Sequence, residues 1–138
     1  MSRDDYKIVD MLLEVTPSCL DHVEIHPTDP YHFWGEATYL SKSKIYFIKT
    51  PSPLETEEGL LVFLHECAHI VLKHCEMDPI TDKPTHPLYN TYTGEIIAWA
   101  KVFRWLDHYG IDCPSRKCIA ESTLKTAWDK LHIPLTIT

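Results

Sequence analysis

His65, Glu66 and His69 stand inside the apolar stretch LLVFLHECAHIVLKH, residues 60–74. On an α-helix, residues four apart differ by about 40° of rotation, so His65 and His69 project from one face. Their ring nitrogens can converge on one metal ion at roughly 2.0–2.1 Å. Glu66 is rotated by about 100° from His65, so its carboxylate can reach a water on that ion without being a ligand. The spacing is HExxH, in which zinc peptidases use the glutamate as general base.

A catalytic zinc site needs a third protein ligand besides an open position for water. Leu72 and Cys75 stand where a metzincin has Gly and His, which excludes that class. His74 lies about 180° from His65 on a continuous helix, so we expect it to complement the helix dipole in the last turn and not to bind the ion. Glu95 is the better candidate, because it opens the next predicted helix.

The segment TGEIIAWAKVF is predicted to carry Glu95 toward the histidines. Four apolar residues lie near its helical face: Ala98, Trp99, Val102 and Leu106. That face should pack on the HExxH helix, and the small Ala98 permits a close approach. Alternatively Glu95 complements the helix dipole at the amino terminus, and the two roles are compatible. We predict one zinc ion held by His65, His69 and Glu95.

The elements before the motif are predicted to be a helix and a few strands. Apolar residues at helical spacing indicate a helix over residues 3–15, stopped by Pro17. Alternation in LDHVEIH, residues 20–26, indicates a short strand. Aromatic and β-branched residues on both sides of SKS indicate a hairpin over about 32–49.

The helix that carries the motif is predicted to run from Pro53 to about Cys75. Ser52 is its expected N-cap, and Glu55 falls where a capping box places its acid. Gly59 inside this helix is expected to be a mild cost.

An irregular loop and two more helices are predicted after the motif. Three prolines in residues 77–90 exclude a regular element there. A helix is predicted from about Thr93 to Tyr109, with Gly110 placed to end it. The last predicted helix reaches His132, and two residues can cap it. They are Asp112 and Ser115.

This order of elements predicts an α+β fold, a small antiparallel sheet packed with helices. A chain of 138 residues is expected to form one domain over residues 1–138. Its 13 basic and 20 acidic residues give a net charge of −7, which argues against direct nucleic-acid binding.

The chain shows no signal-peptide pattern at its start and no apolar run long enough to span a membrane. Its five cysteines form no C-x-x-C pair. We therefore predict a cytoplasmic protein with reduced thiols. The alternatives are a bridge between Cys113 and Cys118 or a regulatory thiol.

The two motifs HECAHIVLKH and GEIIAWAKVF, with the predicted hairpin before them, resemble the ImmA/IrrE family of gluzincin-like metallopeptidases. The resemblance covers roughly residues 31–110. It implies a zincin-like fold, His65 and His69 as zinc ligands, Glu66 as catalytic acid and base, and Glu95 as third ligand. The chain departs from the family pattern at three positions. They are Cys67 and Ala68, in place of an aliphatic–Gly pair, and Ile97, where a second acid often sits.

Members of that family cut transcriptional repressors, typically helix-turn-helix proteins. By analogy this chain is predicted to be a zinc-dependent endopeptidase that acts on a specific protein. Its tetrahedral oxyanion needs a donor besides zinc. His86, Tyr89 and Tyr92 are candidates, because they lie on or beside the loop before Glu95; alternatively they are ordinary packing side chains of a surface loop.

The segment YHFWGEATYL offers a substrate a strand on which to dock, if it forms a sheet edge beside the site. The alternative, which we favour, is that Phe33, Trp34 and Tyr39 fill the core. Two rival functions also stay open. The first is a catalytically silent zinc-binding interaction module or inhibitor, for which Glu66 would be needless. The second is a metal-free protein whose histidines are structural.

Overall fold

The computed structural model describes residues 3–26 and 35–131 of the chain. Their regular elements are α1 (Arg3–Val15), β1 (Leu20–Ile25), β2 (Glu36–Leu40), β3 (Ile45–Thr50), α2 (Glu57–Val71), α3 (Tyr92–Tyr109) and α4 (Arg116–Leu131). The predicted α+β class is confirmed. None of the described helices combines the length and the hydropathy that a membrane span requires.

The three strands form one mixed sheet in the order β1–β3–β2. β2 pairs antiparallel with β3, with Thr38 opposite Phe47, which confirms the hairpin over its described residues; residues 32–34 lie outside them. β1 runs parallel to β3, so the prediction of an antiparallel sheet is wrong for this pairing. The short turn after β2 forces an antiparallel pair, whereas β1 and β3 are separated by a connection long enough to return in parallel.

Helix α2 begins at Glu57 and not at Pro53, because a tight turn precedes it. The hydroxyl of Thr56 donates to the carbonyl of Pro53 at 2.6 Å and accepts the Gly59 N–H at 3.0 Å. Thr56 is therefore the N-cap, and the prediction of Ser52 as cap is wrong. A Cβ on Gly59 would lie 2.0 Å from the Pro53 carbonyl oxygen, so this glycine is needed where the turn closes on the helix.

Helix α2 lies between two apolar clusters. One cluster joins it to α1, α3 and α4, and its α2 members are Leu60, Leu61, Leu64 and Ala68. The other joins it to β3, through Phe63, Cys67 and Ile70 against Tyr46 and Ile48. The middle of α2 is consequently buried on every side. Polar side chains there need partners inside the protein.

The later helices have well-defined ends. The Thr91 hydroxyl accepts the Gly94 N–H at 3.0 Å at the start of α3, and Gly110, at φ 63°, ends it as predicted. At the start of α4 the Ser115 N–H donates to Glu57 Oε1 at 2.8 Å, so an acid from α2 supports this helix. The predicted end at His132 lies outside the described residues.

All five cysteines are free. Cys113 is buried and Cys118 is exposed, each without a disulfide partner in the described part of the chain.

Candidate metal centre

His65 and His69 lie one turn apart on α2 and meet at their ring edges. Their Nε2 atoms are 3.1 Å apart, and the ring planes are nearly perpendicular, at 85°. Only 2% of His65 and 9% of His69 is exposed. A buried imidazole needs a polar partner, and these two turn the same nitrogen toward one point.

Glu95 reaches that point from α3. Its Oε2 lies 2.6 Å from Nε2 of His65 and 3.0 Å from Nε2 of His69. The helix is held in this position by its buried face, which carries Ala98, Trp99, Val102 and Leu106 as predicted. At its start Gly94 fits closely beneath Leu88, since a Cβ would lie 2.6 Å from the Leu88 carbonyl oxygen. The packing thus brings together the three side chains predicted as ligands.

The donor set fits a small divalent cation. One atom each from His65, His69 and Glu95 lies within 4.8 Å of the other two, a separation that could hold a metal ion. A tetrahedral ion with bonds of about 2.0–2.1 Å separates its ligand atoms by about 3.3–3.4 Å. The observed separations of 2.6, 3.0 and 3.1 Å would have to expand by about 0.2–0.8 Å to reach this spacing. Two imidazoles and a carboxylate are donors that zinc accepts.

The protonation of His65 and Glu95 suits a cation. Burial lowers the pKa of His65 to about 4, and the charge of His69 acts in the same direction. Burial alone would raise the pKa of Glu95, but hydrogen bonds with the two histidines hold it well below its usual range. The pKa of His69 is lowered by burial and raised by the Glu95 hydrogen bond and nearby carboxylates, with a net rise. Near neutral pH Glu95 therefore offers an ionised carboxylate and His65 a neutral imidazole, the forms that bind metals, whereas a cation has to displace a proton from His69.

Glu66 lies beside the cluster and is almost fully buried. Burial raises its pKa to about 8; the charge of His69 lowers it, those of Glu95 and Glu36 raise it, and a hydrogen bond from the Ala37 backbone N–H lowers it. The Ala37 contact ties the carboxyl group to β2. Gly35 permits this approach, since a Cβ there would lie 2.4 Å from Val62 Cγ1 and 3.4 Å from Glu66 Cγ.

A cleft of about 290 Å³ opens onto the cluster. One wall is the start of β2, another is α2, and the rest comes from the loop before α3, α3 itself and α4. The side chains of Glu66 and the three metal-binding candidates all line it. Chemically, the arrangement can hold a cation and place an extended chain beside a buried carboxyl group.

The three side chains predicted to meet an oxyanion or a substrate lie at different places. Tyr89 lines the cleft. His86 instead packs against His74, with ring centroids 4.8 Å apart, and Tyr92 packs edge-on against Trp128. Neither His86 nor Tyr92 is among the described residues that line the cleft.

His74 is not the dipole-complementing histidine that the sequence predicts. Helix α2 ends at Val71, and the chain turns so that His74 is 4% exposed. Its Nδ1 lies 3.0 Å from Nδ1 of His69. Burial and the charges of His69 and His86 lower the pKa of His74 to about 4, which keeps it uncharged at neutral pH. The sequence carried no plain signal of this turn, because a lysine occupies the position where a helix usually stops at glycine.

The predicted core role of the YHFWGEATYL segment is met in part. Tyr39 packs against the sheet-side cluster, with its ring centroid 4.8 Å from that of Tyr46. Phe33 and Trp34 lie outside the described residues. The cleft is bordered by Gly35 and by Glu36 and Ala37, the first two residues of β2.

Comparisons of the chain with protein-family models, curated proteins and solved structures found no match. Function therefore has to be inferred from the site itself.

Proposed function

We propose that this chain is a zinc-dependent endopeptidase with Glu66 as its general base. The observation that carries the proposal is the convergence of His65, His69 and Glu95 on one point, where the carboxyl group of Glu66 shares the same cleft. A purely structural cluster would not need a second, separately buried carboxyl group at an opening to solvent.

The chemistry divides between the ion and Glu66. Zinc, when held by the three ligands, polarises a carbonyl and lowers the pKa of a water. Glu66 takes the proton of the attacking water and later delivers it to the leaving amine. Burial raises the pKa of Glu66 to about 8, and the positive charge of a bound cation would lower it again, so that the carboxylate could accept the proton. The Ala37 N–H holds the carboxyl group toward the cleft.

Tyr89 is our proposed second donor to the oxyanion, since it is the predicted candidate that lines the cleft. Removing one such donor typically costs about 10²–10³ in kcat. We expect Tyr89→Phe to lose activity on this scale, and Tyr92→Phe to lose much less.

A protein substrate is proposed to bind along β2. One edge of this strand pairs with β3, and its other edge has no strand partner in the described part of the chain. Added main chain would run past Glu36 and Ala37 in the cleft. The family resemblance suggests a helix-turn-helix transcriptional repressor as the substrate, and the net charge of −7 favours a protein over nucleic acid as the partner.

The first test is metal content by plasma mass spectrometry on protein purified without an affinity tag. We expect one zinc per chain in the original protein and its loss in His69→Ala and Glu95→Ala. His108→Ala is the matched control, because it removes an exposed histidine from α3 away from the cluster. Absence of bound metal after zinc has been offered would leave the histidines a structural role.

The second test is cleavage of a proteome-derived peptide library by the zinc-loaded protein. Glu66→Gln should keep its zinc and lose cleavage by about 10²–10⁴-fold, while Glu55→Gln, at an exposed position, should cleave normally. Bound zinc with no cleavage by the original protein would favour the interaction module.

A further inference from the structure

The imidazole of His74 touches a candidate ligand without belonging to the metal-binding group. Its Nδ1 lies 3.0 Å from Nδ1 of His69, whereas Nε2 of His69 faces Glu95 at 3.0 Å and His65 at 3.1 Å. The two nitrogens of His69 therefore have separate partners. One faces the ligand cluster and the other faces His74.

The end of α2 explains how His74 comes to lie there. The Lys73 N–H donates to the Ile70 carbonyl at 3.0 Å, and the His74 N–H donates to the His69 carbonyl at 3.0 Å. Lys73 adopts the left-handed conformation, with φ 61°. These bonds form a Schellman motif, in which the second residue beyond the C-cap (here Leu72) contacts the residue five positions earlier. In most helices that contact is apolar, but here it joins two imidazoles.

The number of protons available to the two rings decides which of them donates this hydrogen bond. Two Nδ1 atoms at hydrogen-bond distance need a single proton between them. When Nε2 of His69 offers its lone pair to a cation, the neutral ring carries its proton on Nδ1. Nδ1–H of His69 must then donate, and Nδ1 of His74 must accept.

His65 lacks such support. Its Nδ1 is buried and has no hydrogen-bond partner among the described residues. Packing against the ring of Trp99 is what orients it. Of the two histidines, His69 is the one whose outer ring nitrogen, the one turned away from the ligand cluster, has a hydrogen-bond partner among the described residues.

We propose that His74 is a positioning residue for the metal centre, because its Nδ1 accepts the Nδ1–H of His69 and so directs the Nε2 lone pair of His69 toward the ion. The inference rests on the metal site of the proposed function. It gives His74 the role that a carboxylate or a backbone carbonyl usually plays behind a metal-binding histidine.

The test is zinc affinity of the full chain, measured by competition with a chromophoric chelator for the original protein, His74→Leu and His74→Asn. Leucine and asparagine have similar shapes, but Oδ1 of asparagine can accept where Nδ1 of histidine did. We expect His74→Leu to weaken zinc binding by about 10–100-fold. His74→Asn should recover most of that loss. His108→Asn, at an exposed position, is the control and should bind as the original protein does.

Circular dichroism of the metal-free variants checks their folding. If His74→Leu does not fold, His74→Gln replaces it. The longer side chain of glutamine places its amide near the position of Nε2 and not of Nδ1, so we expect this variant to bind zinc more weakly than His74→Asn does. Cobalt offered in place of zinc gives a second readout, since its visible spectrum should change in the variant without the acceptor and return toward normal in His74→Asn.

The outcomes separate the two claims. An original protein that binds no zinc would overturn both the metal centre and the role of His74. Tight zinc binding by the original protein and equally tight binding by His74→Leu would overturn only the positioning role. So would a His74→Asn variant that folds and binds as weakly as the leucine or glutamine variant.

Discussion

Trp99 lies against His65, with the ring centroids 4.5 Å apart and the planes inclined by 27°. Neither Nε1 of Trp99 nor Nδ1 of His65 has a hydrogen-bond partner in the described part of the chain. Helix α3 therefore acts on His65 twice, through this ring contact and, one turn earlier, through Glu95. The contact orients the histidine by packing alone.

Substitutions of Trp99 should distinguish the effect of its aromatic ring on His65 from the effect of its volume on stability. Trp99→Leu should weaken zinc binding and lower the free energy of unfolding by about 2–4 kcal/mol, because a large buried ring is lost. Trp99→Phe should lose less of both, since it keeps an aromatic face against His65 and removes a buried N–H without a partner. Urea unfolding of the metal-free protein and chelator competition measure the two effects.

Trp128→Leu is the matched control for Trp99, because 49% of Trp128 is exposed. It should lose less than half the stability that Trp99→Leu loses. Zinc binding equally weak in Trp99→Phe and Trp99→Leu would contradict the role of the ring contact.

Lys73→Gly is expected to stabilise the protein. A side chain in the left-handed conformation costs about 1–2 kcal/mol, and glycine avoids this at an entropic cost of about 0.5–1 kcal/mol. The free energy of unfolding should rise by roughly 0.5–1 kcal/mol in urea titrations. Lys83→Gly, in the exposed loop and without positive φ, should give no gain. A loss in Lys73→Gly would mean that the lysine side chain itself stabilises the turn.

The main features of the site could be predicted because they depend on local patterns. HExxH places His65 and His69 on one helical face in any helix, and the apolar face of α3 carries Glu95 along with it. The bounds of α1 and the stop at Gly110 likewise follow from periodicity and from glycine.

The features that were missed depend on contacts distant in sequence or on an unusual residue. The parallel pairing of β1 with β3 has no local signature, because its register is fixed only in the folded sheet. Thr56 displaces Ser52 as cap because the preceding turn closes on Pro53. His74 was assigned to a continuous helix because Lys73 occupies the left-handed position at the helix end, where a glycine would have indicated a stop.

Thr56→Ala is expected to destabilise the start of α2. It removes both the acceptor of the Gly59 N–H and the donor to Pro53, and the loss of such a cap costs about 0.5–2 kcal/mol. Ser52→Ala should change the free energy of unfolding by no more than about 0.5 kcal/mol. Chemical unfolding of the two variants side by side decides the position of the cap. Equal losses would contradict it.

The buried thiol of Cys113 should make the free energy of unfolding fall at alkaline pH. Burial, with the charge of Glu57 in support, raises the pKa of this thiol to about 11 from an ordinary value of 9.0. The unfolded chain loses the proton first, so the contribution is fully present below about pH 9 and is lost as the pH rises through 11. Unfolding free energies measured between pH 8 and 11 should fall less steeply in Cys113→Ala than in the original protein. Identical slopes would show that the thiol is solvated in the folded state.

We expect Gly35→Ala to impair the proposed peptide cleavage without weakening metal binding. A Cβ at this position would meet Val62 Cγ1 at 2.4 Å and the Lys49 carbonyl oxygen at 2.9 Å, so Gly35→Ala must push β2 away from α2. Overpacking of this kind costs typically 1–3 kcal/mol. Because Glu66 is tied to β2 through Ala37, its carboxyl group should shift. Peptide cleavage by folded, zinc-loaded protein should then fall by about tenfold or more, while zinc affinity stays unchanged.

Gly59→Ala is the control for that experiment. Its Cβ would also meet backbone, at 2.0 Å from the Pro53 carbonyl oxygen, but it lies at the start of α2, away from Glu66. It should lose stability as Gly35→Ala does and keep its cleavage rate per folded, metal-loaded molecule. If both variants lost cleavage in proportion to stability alone, the close approach at Gly35 would serve folding and not the placement of Glu66.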